Sequence, residues 1–239
     1  MDKILEALSK GIEKSGIGRK RVCLVTDILY DPEVLETLKI DLFHTSRGRT
    51  IPFATGMKLA NPKLKPVVIM GDMATLGGNH FVHACRRNMD LLVICANHFV
   101  YRRVEGESAS GDYDTVSYSP YLLFENPLNI PHIARSCGSV YTARWTALHT
   151  DELTRSISHG LKKKGLSVID VISPPAELLD FYYRHSEIRN GEDTIHTGIE
   201  EEKKIIVGEF LERERPTFIE SYNRQLEEVL GDQFVKIEV

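Results

Sequence analysis

Residues 66–96 read PVVIMGDMATLGGNHFVHACRRNMDLLVICA and predict a strand, a helix and a second strand. The apolar, β-branched run Pro66–Met70 predicts a buried strand that ends at Gly71-Asp72. We expect a helix over about residues 79–88, and the apolar run Leu91–Ala96 predicts the next strand. A strand, a helix and a strand in this order are typical of a βαβ unit, in which the two strands lie parallel.

The same alternation extends over most of the chain. The expected helices are 2–15, 51–59, 130–137, 150–164 and 216–230, and the expected strands are 21–26, 139–143, 167–172 and an edge strand over 205–210. Residues 31–42 and 176–203 show no clear pattern, and residues 102–129 predict a long loop that serves binding or an interface. We therefore predict an α/β fold with a doubly wound, mostly parallel sheet and helices on both faces. In such sheets ligands bind beyond the carboxyl ends of the strands, here after Met70, Ala96 and Ile172.

The composition excludes several classes of protein. Apolar residues make up 42% and charged residues 27% of 239, which is ordinary for a globular chain. The net charge of −4 gives no basic excess that would favour nucleic acid or a membrane surface, and the apolar runs are far shorter than the roughly 20 residues that span a bilayer. The cysteines show no C-x-x-C spacing and indicate reduced, mostly buried thiols. We expect a cytoplasmic protein without a nucleic-acid or membrane partner.

Five stretches carry a family resemblance. They are FHTSRGR at 43–49, IPFATGMKLANP at 51–62, GGNHFVHACRRN at 77–88, KGLSVIDVISP at 164–174 and EFLERERPTFIESY at 209–222. Together they closely resemble the β subunit of 2-oxoacid:ferredoxin oxidoreductases, especially the 2-oxoglutarate type, which carries the thiamine diphosphate domain. The likeness covers roughly residues 2–225.

This resemblance implies a thiamine diphosphate-binding fold over residues 1–175 and a C-terminal extension over 176–239 that packs on it or on a partner subunit. It implies CoA-dependent oxidative decarboxylation of a 2-oxoacid of the 2-oxoglutarate or pyruvate class, with electrons passing to ferredoxin. It also implies an α-type partner subunit, further subunits or ferredoxin as additional partners, and an interface around residues 102–129.

The family's cofactor motifs fall on the segments that follow the two central strands. The cofactor-binding candidates are Gly71, Asp72, Met73, Asn97, His98, Val100, Tyr101 and Arg47. Of these, Asp72, His98 and Val100 are the metal candidates, because Mg²⁺ takes carboxylate, amide and backbone carbonyl oxygens.

Several of these positions depart from the family pattern. Met73 stands where a glycine lets the backbone approach the diphosphate, and His98 replaces an amide although imidazole suits zinc or copper better than magnesium. Arg102 and Arg103 replace small or flexible residues and are interpreted as a plug, an interface patch or a new anion site. The carboxylate of Glu105 would repel an anion.

The ligands of the family's four-iron cluster are also missing, because such a cluster needs four thiolates. Asp27–Tyr30 stands in place of Gly-Ile-Gly-Cys, and Ser173-Pro174-Pro175 stands in place of Ser-Pro-Cys. The sequence begins just past the family's Cys-x-x-Cys. We expect no iron–sulfur cluster in this chain.

Each candidate also has an ordinary structural interpretation. Asp72 suits a helix N-cap, and His98 suits a loop. His80 and His83, three residues apart on one helix, are expected to pack or to face a partner. Lys162-Lys163-Lys164 ends a helix, where cations meet the helix dipole favourably.

Three hypotheses follow for the function. The first is a degenerate β-type subunit, a pseudoenzyme that is structural or regulatory within a hetero-oligomeric oxidoreductase. The second is an active thiamine diphosphate subunit with altered metal ligation. The third is a binding module for another anionic ligand.

Overall fold

The computed structural model describes residues 2–28, 30, 32–71, 77–97, 128–173, 176–192, 200–201 and 204–238. The strands are β1 (Val22–Thr26), β2 (Asp41–His44), β3 (Lys65–Met70), β4 (Leu92–Asn97), β5 (Tyr141–Thr146), β6 (Ser167–Ile172), β7 (Ser186–Ile188), β8 (Glu200–Glu201) and β9 (Lys204–Glu212). They form a sheet of order β2-β1-β3-β4-β6-β5-β9-β7, and β8 pairs with β9.

Neighbouring strands among β1 to β6 all run parallel, and β9 runs antiparallel to β5. This arrangement confirms the predicted mostly parallel sheet. β1 and β3–β6 are buried along their whole length, which explains their continuous apolar runs.

The helices are α1 (Asp2–Ser15), α2 (Pro32–Glu36), α3 (Thr50–Ala60), α4 (Gly78–Arg87), α5 (Ile130–Cys137), α6 (Thr150–Lys162), α7 (Ala176–Arg184) and α8 (Phe218–Leu230). One face of the sheet carries α1 and α6, which cross so closely that a Cβ on Gly11 would lie 2.5 Å from Ile157. The other face carries α3, α4 and α5, whose buried residues pack on Val68 and Val93. Helices therefore cover both faces, as predicted.

Several details differ from the expectations, among them the helices α2 and α7, which lie in segments where the sequence showed no clear pattern. Residues 205–210 do not form an edge strand, because β9 lies between β5 and β7. β2 and β7 were missed, since both are short and neither contains a fully buried residue. The strand expected at 139–143 begins at Tyr141 and continues to Thr146.

The C-terminal part of the chain joins the same sheet as the N-terminal part, because β9 pairs with β5. The division into residues 1–175 and 176–239 stays a prediction. The predicted loop over 102–129 lies outside the described residues except for its last two positions. Within the described ranges, the structure has no helix long and apolar enough to cross a membrane.

The amino-end edge of the sheet holds a buried ion cluster. The Asp90 carboxylate pairs with the ammonium groups of Lys58 at 2.7 Å and Lys65 at 2.5 Å. Burial acts to raise the pKa of Asp90, but the two lysines outweigh it and hold that pKa below its usual value. Lys65 also donates to the carbonyl of Lys163, so the cluster ties together the turns at this edge.

Candidate functional site

The chain order of the sheet reverses between β1 and β3. β1 connects to β2 on one side, whereas β3 connects to β4 on the other. The carboxyl ends of β1 and β3 therefore flank a topological switch point, where doubly wound sheets bind ligands. Asp27 follows β1 and Gly71 follows β3 at this point.

The Asp27 carboxylate joins the loops that meet at the switch point. It is 7% exposed, and its Oδ2 accepts a hydrogen bond from the Gly48 N–H at 2.8 Å. Its Oδ1 accepts a longer one from the Gly71 N–H at 3.4 Å. The carboxylate thus connects the ends of β1 and β3 to the loop that leads into α3.

The loops before α3 and α4 touch through their backbones. Gly77 has a φ of 153°, and a Cβ at this position would lie 3.0 Å from the Gly48 carbonyl oxygen. Gly48 itself has a φ of 72°. Both positions favour glycine, because L side chains rarely adopt these angles and the contact at Gly77 leaves no room for one.

α3 and α4 both begin at this edge, and in α4 the His80 N–H of the first turn donates to the Asn79 side chain at 2.8 Å. Their N-cap residues, Arg49 and Gly77, make no side-chain hydrogen bond to the helix. The Thr50 hydroxyl, in the first turn of α3, is buried and has no hydrogen-bond partner among the described residues. The exposed donors of a helix N-terminus attract anions.

The adjacent strands β5 and β6 carry a buried ion pair. Arg144 Nε on β5 and Asp170 Oδ2 on β6 are 2.8 Å apart, and their side chains are 1% and 0% exposed. Burial acts to raise the pKa of Asp170, while the Arg144 guanidinium and the Asn97 amide act to lower it. A charge at such depth is tolerated only with a partner of this kind.

The pair extends into a network that joins five elements. Asn97, at the end of β4, donates its side-chain N–H to Asp170 Oδ1 at 3.3 Å. Arg144 donates to Asn129 Oδ1 at 3.0 Å, and Asn129 caps α5 by accepting from the His132 N–H. Arg144 also donates to a carbonyl of β9 at 3.4 Å. The network therefore fixes Asn97 and Asn129, which flank residues 98–128.

The described site candidates are Gly71, Asn97 and Arg47. Gly71 and Asn97 are buried at the carboxyl edge, whereas Arg47 is exposed on the loop between β2 and α3. Asp72, Met73, His98, Val100 and Tyr101 lie outside the described residues, so their roles stay predictions. Across the described ranges, no three His, Cys, Asp or Glu residues are grouped to hold a metal, and the packing or interface role of His80 and His83 stays a prediction.

The cysteines do not serve the candidate site. Cys23, Cys85 and Cys95 are buried, Cys137 is partly buried, and no two of the four form a disulfide. Burial raises the pKa of Cys23 to about 11 and also raises that of Cys85. Thiols with a raised pKa are poor metal ligands and nucleophiles.

Comparison with known proteins shows the family of this chain. Residues 29–171 match the family model described as thiamine pyrophosphate enzyme, C-terminal TPP binding domain. The 2-oxoglutarate synthase subunit KorB of Methanothermobacter marburgensis is 36% identical over 248 residues, which cover 95% of this chain and 86% of that protein. The chain belongs to the β subunits of 2-oxoacid:ferredoxin oxidoreductases.

Further relatives agree with this membership. The 2-oxoacid:ferredoxin oxidoreductase subunit beta of Saccharolobus solfataricus is 35% identical over 178 residues, covering 72% of this chain and 58% of that protein. A structure of 2-oxoglutarate:ferredoxin oxidoreductase from Magnetococcus marinus, with 2-oxoglutarate, coenzyme A and succinyl-CoA bound, superposes with a TM-score of 0.75. The two sequences are 20% identical, and the match covers 95% of this chain and 85% of that chain. The two chains therefore share a fold.

The described residues of this β subunit fit thiamine diphosphate poorly. The glycine contact and the two uncapped helix N-termini suit a phosphate group. The N–H groups of Gly48 and Gly71, however, are already bonded to Asp27, whose carboxylate has no ion-pair partner among the described residues. A buried negative charge disfavours an anion beside it. The described edge therefore offers an anion few free backbone donors, and the segments on which the family's diphosphate and metal motifs fall lie outside the described residues.

Sequence reasoning missed Asp27, Arg144 and Asp170. Asp27 was treated only as part of a lost cluster motif, although a carboxylate directly after a buried strand signals a residue aimed at the edge of the sheet. Arg144 and Asp170 stand inside the buried runs YTARWT and SVIDVI. Two opposite charges inside apolar strands indicate a buried pair, because neither is stable there alone.

Replacing Asp27 tests its role in joining the loops. Asp27→Ala leaves the Gly48 and Gly71 N–H groups without an acceptor and is expected to lower the free energy of unfolding by about 1–3 kcal/mol. Asp27→Asn retains one acceptor and should lose less. Urea unfolding followed by the fluorescence of Trp145, the single tryptophan, measures both. Asp41→Ala, at an exposed carboxylate on β2, is the control and should be near neutral. An alanine variant of Asp27 as stable as the control would contradict the role.

A double-mutant cycle tests the Arg144–Asp170 pair. The single changes are Asp170→Leu and Arg144→Met, and each leaves one buried charge without its countercharge, which is expected to cost about 3–5 kcal/mol of unfolding free energy. The joint replacement Arg144→Met with Asp170→Leu should cost clearly less than the sum of the two single changes. Urea unfolding supplies all four values. Glu6→Gln, which breaks an exposed ion pair with Lys10, should leave stability unchanged. Additive effects at Arg144 and Asp170 would show that the pair is not coupled.

Proposed function

We propose that this chain is a non-catalytic β-type subunit of a 2-oxoacid:ferredoxin oxidoreductase of the 2-oxoglutarate or pyruvate class. It keeps the family's scaffold and serves the complex through its structure or through regulation. The observation that carries the proposal is the contrast between a fully formed sheet, with helices on both faces, and a switch point whose backbone donors bind Asp27.

The sequence departures support this reading because they concentrate around the same edge. Met73 follows β3 and His98 follows β4, so both altered positions leave the carboxyl ends of adjacent strands. Met73 would crowd the diphosphate, and His98 is a poor magnesium ligand. Neutral drift would scatter such changes over the scaffold as well.

An iron–sulfur cluster is not part of the proposal for this chain. A four-iron cluster needs four thiolates around one point. Here Cys23 lies on β1, Cys85 on α4, Cys95 on β4 and Cys137 at the end of α5. Electrons from any oxidation in the complex would then travel through other subunits or through ferredoxin itself.

One observation favours a second candidate, an active subunit with altered metal ligation. The uncapped N-termini of α3 and α4 and the Gly48–Gly77 contact are features that a phosphate group would use. In that case Asp72, His98 and Val100 would hold Mg²⁺, and Gly71, Asn97 and Tyr101 would line the cofactor. The same helix termini would also serve the third candidate, a module for another anionic ligand.

Purification from the native source tests the subunit assignment. We expect an α-type subunit to elute with this chain in one stable complex, because the relatives are subunits of multi-subunit enzymes. If the complex contains iron, we expect a second β subunit, with intact cluster motifs, to bind it. A stable monomer in the native extract would contradict the assignment.

Iron analysis of the chain expressed alone under anaerobic conditions supplies the second half of this test. We expect no iron and no acid-labile sulfide. A stoichiometric cluster would contradict the ligand argument while leaving the subunit assignment intact.

A further inference from the structure

A groove of about 1300 Å³ lies at the amino-end edge of the sheet, opposite the switch point. Two of the residues that line it, Lys63 and Lys164, belong to the turns that lead into β3 and β6. A second group of lining residues lies on α8 and on the last described residues of the chain, Lys236–Glu238, which together form one wall of the groove.

The groove is basic although the chain is acidic. Seven Lys or Arg residues and four Glu residues line it, a net charge of +3, while the whole chain carries −4. Six of the cations come from three segments: Lys162, Lys163, Lys164, Arg215, Arg224 and Lys236. The Lys162–Lys164 run, which the helix dipole alone would explain, thus joins a larger cluster.

Only part of this positive charge is neutralised within the chain. Lys163 pairs with Glu212 at 3.1 Å, and Lys164 pairs with Glu220 at 3.3 Å. Lys162, Arg224 and Lys236 are exposed and make no ion pair with the rest of the described chain. Three cations on three different segments therefore face the same space without a counterion from the protein.

The wall formed by the C-terminal segment is held in place by a buried side chain. Asn223 on α8 is 3% exposed. Its Nδ2 donates to the Ile237 carbonyl at 2.8 Å, and its Oδ1 accepts from the Ile237 N–H at 3.1 Å. The two hydrogen bonds fix residues 236–238 against the helix, so the groove is preformed.

The start of α8 is fixed as well. Thr217 and Glu220 form a reciprocal capping box. The Asn88 amide donates to the carbonyls of Arg215 and Pro216 at 3.1 and 3.0 Å. The cations of this wall are thus displayed on an ordered backbone.

We propose that this groove docks an acidic segment of another protein chain. Its volume exceeds the roughly 300–1,000 Å³ typical of small-molecule pockets, and its unpaired cations complement carboxylates. The net charge of −4 over the chain gives no extended basic surface that would favour a nucleic acid. The proposal goes beyond the proposed function and is independent of whether thiamine diphosphate binds.

Fluorescence anisotropy with a fluorescein-labelled, Glu-rich peptide tests the groove on the full chain. The double change Lys162→Glu with Arg224→Glu should weaken peptide binding about tenfold or more, because it reverses two unpaired charges. The matched control is Lys14→Glu with Lys20→Glu, which changes the net charge equally at exposed positions outside the groove. Asn223→Ala should also weaken binding, although every cation is retained, since it releases the C-terminal wall.

Three results of the binding assay would overturn the proposal. They are no binding of the peptide, equal weakening by the control pair, and equally tight binding of an oligothymidylate or of inorganic pyrophosphate. The last result would identify a general polyanion surface instead of a protein-docking groove.

Lysine acetylation of the native complex supplies an independent measurement. Lys162, Lys164 and Lys236 should be protected relative to the isolated chain, while Lys14 and Lys20 should react equally in both. Equal labelling of the groove lysines in the complex and in the isolated chain would overturn the proposal, whatever the peptide does.

Discussion

A parallel sheet that is covered on both faces accepts a charged side chain only where an opposite charge or hydrogen-bond donors meet it, and this constraint organises the candidate site. Arg144 and Asp170 satisfy it inside the sheet by forming a 2.8 Å ion pair between adjacent strands. Through Asn97 and Asn129, that pair fixes the two points that flank residues 98–128. Asp27 satisfies the constraint at the edge by accepting two backbone N–H groups. The charged side chains at and near the carboxyl edge are thus bound by other groups of the same chain.

The same observations separate the scaffold from the chemistry. The sheet and the helices on both of its faces are those expected of a thiamine-type fold. The backbone donors that would face an anion bond to Asp27 instead, and the positions after β3 and β4 carry Met73 and His98. The basic groove lies at the opposite end of the strands, so a partner could be held there without reference to the cofactor edge.

Periodicity and apolar runs predicted the central strands, which are buried along their whole length, and helices such as α1, α3 and α6, which bury one side against a face of the sheet. They did not predict β2 or β7, whose residues are half-exposed, or the place of β9, which depends on β7 covering its far side. At the site, Gly71 and Asn97 were named from the family resemblance, and their roles toward a cofactor stay predictions. Asp27, Arg144 and Asp170 were missed because their partners lie 15 to 73 residues away along the chain. A single buried charge in a sequence does not reveal which residue neutralises it.

The most direct test of the account is a calorimetric titration of the chain, together with its α-type partner, with thiamine diphosphate in the presence of Mg²⁺. The account predicts no saturable heat up to millimolar cofactor, and the same trace when Mg²⁺ is replaced by a chelator. Magnesium-dependent binding at micromolar concentration, with one cofactor per copy of this chain, would contradict it.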